Sequence, residues 1–259
     1  MNTLLLVANF DSDVGYAWWL MESFWVKLAQ YYSPCAHVVL AYPSISTLPD
    51  TITNAPLVTV EKDFSGTTLR EIFKQCRFIR SCNIKALYFS DRASWHWSYA
   101  LYRLCGVRMI VVHEHAPGVR IPPRGIKALL KMIVHRIPWL RVDGAIGATD
   151  YVRRRLIKVN KMPENLCFAA PNGLPEVDYF PSPADLHRIF GIQVDRKILV
   201  MASRAHHYKG VDFAMECLKR LRDSGREDVH FVFIGDGPHL GSFKKIAEEK
   251  GIQDYCTFT

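Results

Sequence analysis

A chain of 259 residues, 49% apolar and 22% charged, carries enough apolar surface for a sizeable core, which excludes a long disordered polymer and leaves one large or two smaller globular domains. The net charge of +8 gathers between 120 and 158, where Arg120, Arg124, Lys127, Lys131, Arg136, Arg141, Arg153, Arg154, Arg155 and Lys158 face only Asp143 and Asp150. That bias asks for an anionic partner without choosing among phosphate compounds, nucleic acid and an acidic membrane.

In chain order, TLLLVAN (3–9) is too short and lacks the basic flank of a secretory signal, so it predicts a buried parallel strand. There follow a helix over 16–31, HVVLAY as a strand, a helix over 67–80 capped by Thr67 or Thr68, KALYFS as a strand, a helix over 95–104 and VRMIVVHEH as a strand. Such alternation builds a doubly wound parallel sheet. Next, PPRGIKALLKMIVHRIPWLR predicts an amphipathic helix over 124–136, apolar at Ile126, Leu129, Leu130, Ile133 and Val134 with cations between. VDGAIGAT and NLCFAAPNG read as strands around a helix over 150–159. No window reaches the roughly twenty uninterrupted apolar residues of a membrane span.

Four prolines without periodicity mark 171–186, which sets an N-terminal domain at 1–170, a linker at 171–190 and a second domain at 191–259. The second domain alternates again: KILVMAS, a helix over 211–222, VHFVFIGDGP, a helix over 240–250 and YCTFT. That is about half of a nucleotide-binding domain. The seven cysteines form no CxxC pair, which predicts reduced cytoplasmic thiols.

Ligands of open α/β sheets sit at the carboxyl ends of the strands, and MASRAHHYKG puts Arg204 and Lys209 there, ahead of a helix N-terminus. Free backbone N–H groups plus a guanidinium fork and an ammonium make an anion site suited to a diphosphate. Spacing alone fits a pair of solvated surface cations equally well. In the next turn, GDGP, Gly235 and Gly237 serve backbone geometry and Pro238 opens a helix. VVHEHAPG ends a strand whose alternation places His113 and His115 on one side and Glu114 on the other, with no third metal ligand at an evident spacing. Trp95, His96, Trp97 and Tyr99 read as half-buried packing ahead of sugar stacking, and YVRRRLIK as a solvated helix face.

Taken together, SRAHHYKGVDFAMECLKRL, FVFIGDGPHLGSFKKIAEEKGIQDYCTFT and the upstream PNGLPEVDYF resemble the retaining GT-B glycosyltransferases of family 4, specifically over 165–259 and more loosely before it. The resemblance implies an α/β fold of GT-B architecture: two Rossmann-like doubly wound domains, the second incomplete. It implies transfer of a sugar, with retention, from a nucleotide diphosphate sugar to a glycan, lipid-linked or small-molecule acceptor, with no cofactor or metal. Arg204 and Lys209 are then expected to bind the donor diphosphate. His115, with His113 as runner-up, is expected near the reacting sugar carbon. Gly15 is expected to approach the donor phosphate, although family members carry a Gly-Gly in that loop and this chain a single glycine. The basic helix over 124–136 is expected either on the anionic inner face of a membrane or packed on its own sheet with an outward basic face, in an otherwise cytoplasmic protein, and nucleic acid is not expected as a partner. Two family glutamates eight apart are not reached before Thr259, so a fragment is expected. The alternatives are a non-catalytic subunit completed by a partner, a nucleotide-sugar isomerase of the same shape, and a phosphate-backbone binder that no motif supports.

Overall fold

The computed structural model describes residues 2–13, 19–116, 118–173 and 183–259. The chain divides into two compact units, Met1–Pro175 and Glu176–Thr259.

The first unit alternates β1 (Thr3–Val7), α1 (Trp19–Tyr32), β2 (His37–Tyr42), α2 (Asp50–Thr53), β3 (Val58–Glu61), α3 (Leu69–Ser81), β4 (Ile84–Ser90), α4 (Ser98–Leu104), β5 (Met109–Glu114), α5 (Gly125–Val134), β6 (Gly144–Gly147), α6 (Asp150–Lys158) and β7 (Cys167–Ala169). Its seven strands are all parallel, in the order β3-β2-β1-β4-β5-β6-β7. Both faces of the central strands are covered, which is why β1 is a continuous apolar run. Leu5 and Val7 pack with Ile72, Ile79 and Ile110 on one face, while Leu6 packs with Trp25 and Leu40 on the other.

Local chemistry sets several boundaries. Thr68, not Thr67, caps α3: its hydroxyl accepts the Glu71 N–H at 3.4 Å while the Glu71 carboxylate accepts the Thr68 N–H at 2.9 Å. The helix expected over 95–104 begins only at Ser98, because Trp95 bridges to Arg141 and the His96 N–H is donated to the Leu140 carbonyl. In the first unit the sequence reading missed α2 and β3. The first is a single turn, and the second is a four-residue edge strand with no buried residue.

The second unit contains α7 (Pro183–Phe190), β8 (Lys197–Ala202), α8 (Val211–Asp223), β9 (Val229–Ile234), α9 (Leu240–Glu249) and β10 (Cys256–Phe258). Its three parallel strands run β10-β9-β8 around a separate core of Met215, Phe231, Phe233, Phe243 and Ile252. The stretch 171–190 is not all linker, since α7 occupies its last eight residues. Proline is tolerated at the first helical position, which Pro183 takes, and Leu186, Ile189 and Phe190 then follow a helical period.

Candidate functional site

In the first unit β2 and β3 lie to one side of β1 and β4 to β7 to the other, so the strand order reverses between β1 and β4. A crevice is expected beyond the carboxyl ends of those two strands. A cavity of about 400 Å³ opens there, lined by Ala8, Asn9, Phe64, Ser90, Asp91, Arg92 and His96 among others. Asp91 directly follows β4 and has φ +52°, a left-handed conformation that aspartate tolerates better than most residues. Its N–H is donated to the His113 carbonyl at 2.8 Å and its carboxylate accepts the His115 N–H at 2.6 Å, which ties the end of β4 to the end of β5.

His115 sits just beyond β5 with its side chain 13% exposed, Nδ1 3.8 Å from the Asp91 carboxylate. Burial lowers the pKa of its imidazole, and Asp91 opposes that shift. His113 is fully buried. Its ring lies 4.1 Å from that of His115 and 4.6 Å edge-on from Phe24 of α1. Burial, reinforced by His115, depresses its pKa to about 3, so the ring is neutral at physiological pH. The Tyr88 hydroxyl, itself held protonated by burial, shares a hydrogen bond of 2.5 Å with His113 Nδ1. Of the two histidines His115 is the less buried, although both of its ring nitrogens are enclosed, and the His113 ring lies against it.

Glu114 points the other way, as strand alternation requires. It meets Arg155 at 2.7 Å and Arg120 at 3.6 Å. The Arg155 side chain is only 3% exposed and also donates to the Gly118 carbonyl at 2.5 Å, which shapes the chain after β5. YVRRRLIK is thus not a wholly solvated face: Arg153 and Arg154 reach Asp150, but Arg155 is interior. Its partner lies 41 residues away, so no local pattern marked it. Trp95 and Trp97 are exposed and Tyr99 is buried, while His96 of the same cluster lines the cavity beyond β4.

In the second unit, the loop from β8 to α8 exposes Arg204 and Lys209 on either side of a turn of 3-10 helix, His207–Lys209. Gly210, at φ +82°, caps α8 without a side-chain hydrogen bond. The first-turn N–H groups of α8 therefore face the loop that carries both cations, the arrangement an anion requires. The GDGP turn holds this loop in place. Ala205 donates its N–H to the Asp236 carbonyl at 2.9 Å and accepts the His239 N–H at 3.2 Å. A Cβ on Gly235, at φ +145°, would fall 2.0 Å from the Ser203 carbonyl oxygen, and one on Gly237 2.7 Å from that of Ala205. The two glycines serve close backbone approach. A histidine cluster unmarked by spacing completes the loop, with the His206 and His207 rings 4.5 and 4.4 Å from that of His239. Gly15 lies outside the described residues. Among the described residues no group of three His, Cys, Asp or Glu is placed to hold a metal ion.

Residues 184–259 match the family model Glycosyl transferases group 1. This group 1 domain contains the Arg204 to Lys209 loop and the GDGP turn. The chain is 30% identical over 159 residues to the alpha-monoglucosyldiacylglycerol synthase of Streptococcus pneumoniae, which covers 57% of this chain and 33% of that protein. It is 26% identical over 188 residues to the GDP-mannose-dependent alpha-(1-6)-phosphatidylinositol monomannoside mannosyltransferase of Mycolicibacterium smegmatis, covering 71% and 47%. The chain thus spans between 33% and 47% of the length of these curated relatives. Among solved structures, a glycosyltransferase from Rickettsia africae superposes with a TM-score of 0.73 at 17% identity, over 99% of this chain and 67% of that one. The Anabaena HepE protein, solved with UDP and glucose, superposes at 0.66 and 12% identity, over 99% and 68%. The fold is that of GT-B glycosyltransferases: α/β, with parallel Rossmann-like sheets.

Proposed function

We propose that this chain belongs to a retaining glycosyltransferase of family 4 type, which moves a hexosyl or N-acetylhexosaminyl group from a nucleotide diphosphate sugar to a lipid-linked or glycan acceptor. The observation that carries the reading is the Arg204 to Lys209 loop, set before the uncapped N-terminus of α8 inside the group 1 match. In the reaction the bond from the anomeric carbon to the diphosphate breaks and one to the acceptor oxygen forms, with the acceptor proton leaving on the phosphate side. Arg204 and Lys209 neutralise the departing diphosphate, so the reading asks for no metal or other cofactor. In this reading His115 is the residue beside the reacting sugar carbon, its backbone N–H held by Asp91. Gly15 remains a donor-phosphate contact in this reading.

A membrane acceptor is supported from two directions. None of α5 is buried: Ile126, Leu129, Leu130 and Ile133 are exposed beside Arg124, Lys127 and Lys131, as on a helix lying on an anionic lipid surface. Two similar proteins carry names of lipid glycosylation, a monoglucosyldiacylglycerol synthase and a phosphatidylinositol monomannoside mannosyltransferase. We place the protein in the cytoplasm, peripheral on the inner face of the membrane; no described helix is long and apolar enough to cross it. Because the chain spans 33% to 47% of those relatives, we read it as part of a longer enzyme that supplies the rest of the donor pocket.

Titration calorimetry with UDP and GDP tests the core of this reading. Arg204→Ala is expected to weaken the bound nucleotide by 10- to 100-fold, corresponding to about 1.5–3 kcal/mol for a charge-assisted contact, with the fold intact because the side chain is exposed. Equal affinity in the variant, or no binding of either nucleotide to the parent chain, sinks the assignment.

A further inference from the structure

At the edge of the first sheet opposite the candidate site, where β6 and β7 begin, a cavity of about 680 Å³ opens between the C-terminal ends of α5 and α6. Met132, Ile157 and Leu166 form apolar wall, while Arg136, Arg141 and Lys161 line it with no carboxylate among the described lining residues. Like charges so gathered repel, and a protein ordinarily answers them with acids or with helix-terminal carbonyls. Neither answer is used here. Arg136 and Lys161 make no side-chain hydrogen bond or ion pair with a described residue, and Arg141 only donates to the adjoining Val142 carbonyl at 2.9 Å. The nearby helix-end carbonyls have other donors: the His135 N–H takes that of Lys131, the Val159 N–H that of Arg155, and Lys131 Nζ that of Val159.

Lys161 adds a second, independent sign. Its φ of +64° is left-handed, the conformation in which glycine or asparagine usually closes a helix. A lysine held there is strain kept in the wall of a pocket, as is common where a ligand is clamped. Beside the cavity, α5 turns Leu129, Leu130 and Ile133 to solvent, each at least 44% exposed.

We infer that this cavity takes the phosphate headgroup of an anionic phospholipid, with Arg136, Arg141 and Lys161 on its oxygens and the acyl chains along the apolar stripe of α5. Free phosphate compounds and nucleic-acid backbones share the charge, but neither needs the exposed apolar stripe. The proposal takes its lipid from the membrane contact proposed for α5 and does not depend on the transfer reaction.

The test uses the 259-residue chain. Its affinities are measured for dihexanoyl phosphatidylglycerol below the micellar concentration, dihexanoyl phosphatidylcholine, glycerol 3-phosphate and a single-stranded oligonucleotide. Phosphatidylglycerol is expected to bind about 10-fold or more tighter than the others, and Arg141→Gln and Lys161→Gly each to lower its affinity about 10-fold. Lys161→Gly is also expected to keep or raise the melting temperature, since glycine suits that φ, which separates lost binding from lost folding. A Leu129→Ser, Leu130→Ser double variant should lose sedimentation with phosphatidylglycerol vesicles yet keep the short-chain lipid. Sedimentation lost in Lys161→Gly but kept in the double variant would uphold the pocket and remove the role of α5. Phosphatidylglycerol no tighter than phosphatidylcholine, glycerol phosphate or the oligonucleotide, or unchanged affinity in both pocket variants, overturns the proposal.

Discussion

His113 has a cost and a use. Its imidazole is denied both solvent and a second proton, and in exchange it shares a hydrogen bond with the Tyr88 hydroxyl and lies tilted against the His115 ring. The unfolded ring titrates near 6.5 and the folded ring near 3, so between those values the unfolded chain binds the extra proton. Stability is therefore complete above about pH 6.5 and falls on acidification, by about 1.4 kcal/mol per pH unit from this one group. His113→Asn removes the titration. Urea unfolding between about pH 7 and pH 4.5 should show a shallower acid loss in the variant than in the parent. The burial-lowered His96, His135 and His230 keep their share of the acid sensitivity in both proteins. An identical pH slope would mean that His113 is protonated in the folded state or solvated there.

At the scale of elements, the loop from β8 to α8 is braced from outside by the turn after β9. That dependence makes the glycines of GDGP unequal to other glycines nearby. Gly235→Ala would set a Cβ 2.0 Å from the Ser203 carbonyl oxygen at φ +145°, so β8 and its loop must shift. The expected outcome is a loss of about 1–3 kcal/mol together with weaker UDP or GDP binding, because Ser203 adjoins Arg204. A Cβ on Gly241 in α9 would meet nothing within 4 Å, and the backbone there is ordinary helix. Gly241→Ala should stabilise by up to about 1 kcal/mol and leave nucleotide affinity alone. Guanidinium melts and nucleotide titrations on the two variants separate a positioning turn from a merely structural one; if Gly235→Ala destabilises while binding stays at the parental level, the turn does not position Arg204.

For the molecule as a whole, each unit has its own core, and the first buries both faces of its sheet. Residues 1–175 expressed alone are therefore expected to unfold cooperatively near the temperature of the same unit in the full chain, as calorimetry would show; a fragment without a cooperative transition would refute that autonomy. Much of this architecture is legible in the order of residues. Unbroken apolar runs such as TLLLV and FVFI report burial on two faces, and the Arg204 to Lys209 spacing before a periodic helix reports a loop at a strand end, because both are written in neighbouring residues. Local order along the chain thus settles the kind of sheet, the alternation of its elements and the cations of the second unit. Long-range pairing decided the remainder. Asp91 reaches His115 across 24 residues, Arg155 reaches Glu114 across 41, and Lys161 meets Arg136 and Arg141 only because two helix ends converge on one cavity. Each of those groups looks like ordinary surface charge in the sequence, since burial and partner are properties of folded neighbours and leave no trace in local spacing.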